Sequence, residues 1–87
     1  MIRRMYSVFD DAAKAFATPF FMPTDAMATR AFVDAMQKDE NLSKYPKDYS
    51  LYRIGEFDDA RGTLSHEERP IPVMSGFEAK NYQEDNK

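Results

Sequence analysis

The sequence predicts a small α+β fold, in which an antiparallel sheet of three to four strands has one helix packed on one face. Two segments, residues 3–10 and 49–57, are rich in the β-branched and aromatic residues that favour strands. Residues 25–38 repeat apolar side chains at helical spacing. Asp and Gly at positions 58–62 are typical of a hairpin turn, which predicts a short return strand over residues 63–67.

The first strand has two alternating faces, and both mix polar with apolar side chains. One face consists of Arg4, Tyr6 and Val8, and the other consists of Met5, Ser7 and Phe9. Residues 10–18 then predict a loop or a single helical turn. The aromatic segment Pro19–Pro23 is bounded by prolines, which cannot donate to a strand ladder, so it predicts an edge strand or an extended segment.

The helix is predicted to begin at Asp25, because Thr24 is a suitable N-cap and an acidic residue suits the first turn. Its apolar stripe comprises Met27, Ala28, Ala31, Phe32, Ala35 and Met36. We expect Met27, Phe32 and Met36 to anchor the helix to the sheet, at roughly 2 kcal/mol each when fully buried.

The remaining segments complete a single α+β domain over residues 1–77. Residues 39–46 are polar and predict a connector, while residues 69–77 contain two prolines and a small apolar cluster. Residues 78–87 are polar and predict a C-terminal tail that becomes ordered only if it docks.

A single helix covers only one face of a sheet, so the opposite face is expected to stay partly apolar and exposed. We expect that face to carry Tyr6 and Val8 of the first strand, and Tyr52 and Ile54 of the later one. An exposed aromatic sheet face usually contacts a second copy of the chain, the chain's own residues 71–77, another protein or stacked bases.

Length and composition limit the classes of function. A chain of 87 residues forms one domain and buries only about 60 to 65% of its unfolded surface. Because it has no cysteine, oligomerisation is the simplest remaining source of stability, and we expect a homodimer or a higher oligomer. The sequence has neither a long apolar run nor the apolar centre of a signal peptide, so we expect a cytoplasmic protein without a membrane partner.

The formal net charge of −3 disfavours a strong nonspecific phosphate binder. The charge is unevenly distributed, however. Residues 1–55 contain eight Lys and Arg against seven Asp and Glu, whereas residues 56–87 contain four against eight. The acidity therefore lies mostly near the C-terminal end, which leaves room for basic contact points elsewhere.

No arrangement of residues indicates an enzyme. His66, the single histidine, stands beside Glu67 and Glu68, where a solvated strand end is the simpler interpretation. Asp58 and Asp59 are adjacent at a hairpin tip, which is typical of turn chemistry rather than of a metal site. We expect no catalytic residue, no metal and no cofactor.

Binding of single-stranded DNA is the sharper hypothesis, because basic residues attract phosphates and aromatic rings stack on unpaired bases. The candidate residues are Arg3, Arg4, Arg30, Lys44, Lys47, Tyr52 and Arg53. Among them, Tyr52 is the expected stacking residue. The alternative is that the aromatic residues form the core and that the charges only solvate the surface.

Two blocks of the sequence carry a family resemblance. They read TPFFMPTDAMATRAF from Thr18 and YPKDYSLYRIGEFDDARGT from Tyr45. In this order the blocks resemble the small nonstructural protein of the gokushoviruses, a branch of the microviruses, which are bacteriophages with circular single-stranded DNA genomes. One departure is Tyr45, where the family pattern has a histidine.

The resemblance implies a protein that is absent from the virion and is made in the cytoplasm of an infected bacterium. By analogy with related microviruses, it implies a role in switching replication from duplex copying to single-strand synthesis and packaging, or in binding DNA. A competing hypothesis, favoured by the net acidity, is a homo-oligomeric interaction module. Such a module would act on a phage or host replication protein without contacting DNA.

Overall fold

The computed structural model describes residues 1–83 and shows the predicted α+β class. The strands are β1 (Ile2–Asp10), β2 (Ala15–Phe16), β3 (Phe20–Met22), β4 (Tyr49–Asp58) and β5 (Thr63–Ser75). The helices are α1 (Asp25–Lys38), α2 (Glu40–Lys44) and α3 (Gly76–Lys80), and a short 3-10 turn, Pro46–Asp48, precedes β4. Within residues 1–83, no helix is long and apolar enough to cross a membrane.

The sheet is antiparallel throughout, with β1 and β4 at its centre. One side of β4 pairs with β5 and the other with β1, while β2 and β3 share the outer edge of β1. The aromatic segment between the two prolines is therefore an edge strand, as predicted, and the loop before it contains the two-residue strand β2 in addition.

A β-bulge in β4 determines which side chains share a face of the sheet. Ile54 has no partner on β1, where the register shifts between Met5 and Tyr6. Past this bulge Arg53 is opposite Tyr6, so the two side chains share a face. Tyr52, the next residue along β4, consequently belongs to the other face.

Strand β5 is longer than the predicted return strand and continues to Ser75. Residues 67–70 form a second irregularity, which lies opposite Ile54 of β4. Pro70 and Pro72 are tolerated because β5 is at the edge of the sheet, where no further strand needs their missing amide hydrogens.

Helix α1 has the predicted bounds and N-cap. The Thr24 hydroxyl accepts a hydrogen bond from the Met27 amide at 3.2 Å, and Asp25 occupies the first turn. Its buried residues are Ala28, Phe32 and Met36. Met27 itself is half exposed, so its predicted role as an anchor is wrong. The buried residues Ala28, Phe32 and Met36 are spaced four residues apart and form the row that contacts the sheet. Met27 lies one position before this row.

The core lies between α1 and the sheet face that carries Tyr6 and Val8. Its buried members are Tyr6, Ala28, Phe32, Met36, Leu51 and Ala79. The prediction that Tyr6 and Val8 lie on the uncovered face is therefore wrong. Burial of Tyr6 is possible because its hydroxyl donates a hydrogen bond to the carboxylate of Asp25 in the first turn of α1.

The predicted polar connector contains the short helix α2. The carboxylate of Asp39 caps it by accepting hydrogen bonds from the amides of Asn41 and Leu42, at 2.9 and 3.1 Å. Leu42 packs against the core. Capping by a side chain, rather than a long apolar period, forms this helix, so apolar periodicity does not reveal it.

Helix α3 extends the folded domain past its predicted end at residue 77. Ser75 and Glu78 form a reciprocal capping box at its start, and Ala79 is completely buried. Residues 78–80 therefore belong to a docked helix rather than to a tail. Residues 84–87 of the predicted tail lie outside the described part of the chain.

Candidate nucleic-acid interface

The sheet face opposite α1, here called the open face, carries most of the aromatic side chains that are not in the core. The register assigns to it Arg3, Met5, Ser7 and Phe9 of β1, Phe16 of β2, Phe21 of β3, Ser50, Tyr52, Gly55 and Phe57 of β4, and Leu64, His66, Pro72 and Ser75 of β5. The predicted stacking residue, Tyr52, thus lies on this face.

The open face carries two separate aromatic contacts, and in each of them two rings meet across β1. In the first pair, called the Phe16 bridge, Phe16 of β2 approaches Tyr52 of β4 with ring centroids 5.5 Å apart and planes at 73°. In the second, the Phe21 bridge, Phe21 of β3 approaches Phe57 of β4 at 5.9 Å and 62°. Phe9 also contacts Phe16, at 4.8 Å. Both bridges join an outer strand to β4 over the central strand.

Small or flexible residues of β1 lie along the open face between the bridges. Ser7 is opposite Tyr52 and is completely buried, and its hydroxyl donates a hydrogen bond to the carbonyl oxygen of Ala17 at 2.7 Å. This bond ties the segment after β2 to β1. Because a serine is small, the rings from the two neighbouring strands can meet above it.

The open face is free of carboxylates at its paired positions, although the chain as a whole is acidic. Its basic side chains at those positions are Arg3 and His66. The Nε of Arg3 lies 3.4 Å from the carboxylate of Asp59, in the hairpin turn at the margin of the face. Both side chains are well exposed, so this ion pair is weak and leaves Arg3 available to an anion.

The N-terminal ammonium of Met1 is the stronger partner of Asp59, at 2.8 Å. Its hydrogen bond, together with that of Arg3, holds the pKa of the Asp59 carboxyl below its usual value. The carboxylate of Asp58 accepts a hydrogen bond from the Ala60 amide, at 3.0 Å. These two adjacent carboxylates thus serve the turn and the chain terminus. Within residues 1–83, no three His, Asp or Glu side chains are grouped to hold a metal ion.

The sheet face that packs against α1, here called the covered face, carries a group of polar side chains. This group, the Asp25 cluster, consists of Arg4, Tyr6, Asp25, Arg53 and Glu67. Arg53 donates to Asp25 at 2.7 Å and to Glu67 at 3.2 Å. Tyr6 donates to the other Asp25 oxygen, and Arg4 lies 3.5 Å from that oxygen. The cluster connects β1, β4 and β5 to the first turn of α1.

The pKa values of the Asp25 cluster are shifted in opposite directions. Burial raises the pKa of Tyr6 above its usual value, and the hydrogen bond to Asp25 adds to this effect. Burial also disfavours the charge on Asp25, but the hydrogen bonds from Tyr6 and Arg53 outweigh it and lower the pKa of Asp25. Asp25 therefore stays ionised, and Tyr6 stays neutral, at physiological pH.

The seven predicted contact residues separate into three groups. Arg3 and Tyr52 lie on the open face. Arg4 and Arg53 are engaged in the Asp25 cluster, and the Arg53 side chain is only 21% exposed. Arg30, Lys44 and Lys47 belong to α1, α2 and the 3-10 turn before β4, here called the helical layer, on the other side of the sheet.

The helical-layer residues have separate surroundings. Arg30 lines a groove of about 550 Å³ along α1, which Gln37 and Tyr82 also line. Lys47 places its Nζ 5.8 Å from the ring centroid of Phe77, in a cation–π contact. These residues are not joined to Arg3 in one basic stripe.

Sequence reasoning missed four aromatic residues of the open face: Phe9, Phe16, Phe21 and Phe57. Strand alternation places Phe9 on the face of Met5 and Ser7, so this residue could have been found. For Phe16 and Phe21 the signal is the pairing of β2 and β3 with β1, which depends on contacts distant in sequence.

Comparison with known proteins identifies a family. Residues 3–79 match the sequence profile of the family described as Phage ORF5 protein. The match covers most of the chain, so the chain belongs to this family. No curated protein and no solved structure matches the chain. The resemblance is thereby confirmed at the level of a bacteriophage protein.

Proposed function

We propose that this Phage ORF5 family member is a non-enzymatic, nonstructural regulator of genome replication and packaging in a gokushovirus-type phage. It acts in the host cytoplasm, without a cofactor, by binding single-stranded DNA on the open face. The observation that supports this best is the pair of exposed aromatic bridges on a face whose strand residues with cross-strand partners include no Asp or Glu. A carboxylate lies at the margin of the face, where Glu78 of α3 lines a groove beside Tyr52.

Stacking supplies most of the binding free energy in this proposal. Every base has a π face, and stacking on an aromatic side chain contributes about 1–3 kcal/mol per base without demanding a particular sequence. The rings of Phe16 and Phe21 are each nearly half exposed, so a base can reach them without unfolding the sheet.

Electrostatic attraction contributes less binding free energy than stacking, because Arg3 is the single arginine that the register places on the open face. For single strands the logarithm of the affinity falls with the logarithm of salt concentration with a slope of about −0.7 for each phosphate contact. One phosphate contact per protomer therefore predicts a shallow salt dependence, which is compatible with a net charge of −3.

The test is fluorescence anisotropy of a labelled oligothymidine of about 20 nucleotides, longer than the site sizes of about 4–16 typical of such proteins. We expect binding at low salt that weakens about tenfold or more in Tyr52→Ala, which removes one stacking ring. Arg3→Ala should flatten the salt dependence by about 0.7 in slope.

Two matched variants serve as controls in this experiment. Arg30→Ala removes the same charge from the helical layer, and Tyr45→Ala removes an exposed ring that lies outside the sheet. Both should bind like the wild type. Absence of binding by the wild-type protein at low salt contradicts the proposal.

The alternative function is a homo-oligomeric interaction module that contacts a replication protein without touching DNA. The half-exposed rings of the open face also favour this role, because exposed apolar patches often mark protein interfaces. Light scattering on the same samples separates the two hypotheses. A defined dimer or higher oligomer that binds no oligonucleotide supports the alternative.

A further inference from the structure

The two aromatic bridges are separated along β1. Phe16 and Tyr52 are opposite Phe9 and Ser7, whereas Phe21 and Phe57 are opposite Met5 and Arg3. The centres of the bridges are thus about four residues apart, or roughly 13 Å at the rise of about 3.3 Å per strand residue.

The bridges are also alike in construction. Each has one ring from an outer strand, and these two rings, Phe16 and Phe21, are 45% and 44% exposed. Each contacts a ring of β4 at a steep angle rather than face to face. An edge-to-face pair uses only one ring face, so each bridge retains ring faces on which a base can stack.

The geometry points to two separate stacking positions on the open face, which together bind a run of about four or five consecutive nucleotides. Bases of a stacked strand are about 3.4 Å apart, so roughly four steps span the distance between the bridges. This inference rests on the proposed function and specifies the length of its ligand.

The surface between the bridges is suited to the intervening bases. Met5 and Ser7 of β1 lie there, and neither carries a charge. Arg3 lies at the Phe21 end, where Phe57 is its partner on β4. A phosphate near this end of the strand therefore meets a guanidinium, while the Phe16 end binds through stacking alone.

Oligothymidines of two and five nucleotides test the inference. A pentanucleotide engages both bridges, and the second contact forms at high effective concentration, so the wild type should bind it far more tightly than the dinucleotide. Phe16→Leu and Phe21→Leu retain apolar volume but remove the ring. Each should weaken pentanucleotide binding about tenfold or more, to near the dinucleotide level.

The dinucleotide provides an internal reference. It occupies one bridge at a time, so loss of either ring should reduce its affinity by only about twofold. Phe16→Tyr and Phe21→Tyr keep the ring and should restore pentanucleotide binding, which separates stacking from a folding defect. Tyr45→Leu is the control outside the sheet. Circular dichroism of every variant checks that the fold is intact.

The possible failures are distinguishable. If the wild type binds long and short oligothymidines but one of the two leucine variants binds the pentanucleotide normally, there is a single stacking position and this inference is wrong. Equal wild-type affinities for the dinucleotide and the pentanucleotide overturn it as well. If no oligothymidine of any length binds, both this inference and the proposed function fail.

Discussion

The two faces of the sheet use the same strands in different ways. On the covered face Tyr6 and Leu51 are completely buried, and the Asp25 cluster ties that face to α1. On the open face the rings of Phe16 and Phe21 contact partners across β1 but stay nearly half exposed. Apolar content alone therefore does not decide which face a helix covers.

In this protein a group of polar contacts helps to decide which face of the sheet α1 covers. The hydroxyl of Tyr6 and the guanidinium of Arg53 both reach Asp25 at the start of α1, and such partly buried charged hydrogen bonds position the helix on one face. The open face offers no comparable anchor at its paired positions. It is therefore the face that is available to a ligand or a partner.

The largest expected difference between the faces is in stability. Leu51→Ala removes a fully buried side chain and should lower the free energy of unfolding by about 2–5 kcal/mol. Phe21→Ala removes a half-exposed ring and should cost about 1 kcal/mol. Urea denaturation measures both. A loss from Phe21→Ala that equals that from Leu51→Ala and depends on protein concentration would mean that a second copy covers the open face.

Arg53 on the covered face and Arg3 on the open face allow a second comparison of stability between the two faces. Arg53→Leu leaves Asp25 and Glu67 without their shared donor and should cost about 1.5–3 kcal/mol. Arg3→Leu breaks an exposed ion pair with Asp59 and should cost less than about 1 kcal/mol. Equal costs in thermal or urea unfolding would show that the Asp25 cluster has no special structural role.

Loss of the hydroxyl from Tyr6 and from Tyr52 should change the free energy of unfolding by amounts that differ less than those of the arginine variants. Tyr6→Phe removes the hydrogen bond to Asp25 and should lower the free energy of unfolding by about 1 kcal/mol. Tyr52→Phe keeps its ring and should change stability little, because the ring makes its contact with Phe16. The same urea titration tests both, and a destabilising Tyr52→Phe would reveal a polar contact on the open face.

The smallest effect is the pH dependence that arises from the Asp25 cluster. The pKa of Asp25 is lowered in the folded state, so its stabilising contribution is present above the unfolded value of about 4 and is lost as the pH falls through the folded value. We expect Asp25→Asn to be less stable at neutral pH and to lose less stability on acidification below about pH 4. Parallel pH profiles for variant and wild type would contradict this.

Local signals in the sequence determined much of the secondary structure. The N-cap Thr24, the first-turn Asp25 and the apolar spacing gave the bounds of α1, and residue composition identified β1, β4 and the hairpin between β4 and β5. Each of these features depends on neighbours within about four residues, so they could be predicted from the chain alone.

Part of the candidate site could also be predicted. Arg3 and Tyr52 were identified from the sequence and share the open face. Arg4 and Arg53 have the same chemistry, but the register pairs them with Asp25 instead. A basic side chain is available to a ligand only if no neighbour neutralises it, and those neighbours are distant in sequence.

The tertiary structure decided which face of the sheet α1 covers and which stays open. The bulge at Ile54 places Tyr52 on the same face as Gly55 and Phe57, and the pairing of β2 and β3 with β1 brings Phe16 and Phe21 to their partners on β4. Strand alternation is local, but register and bulges depend on long-range pairing, and a shift of one residue exchanges the two faces. The sequence by itself therefore determined the elements and their composition, whereas only the folded sheet determined the aromatic bridges.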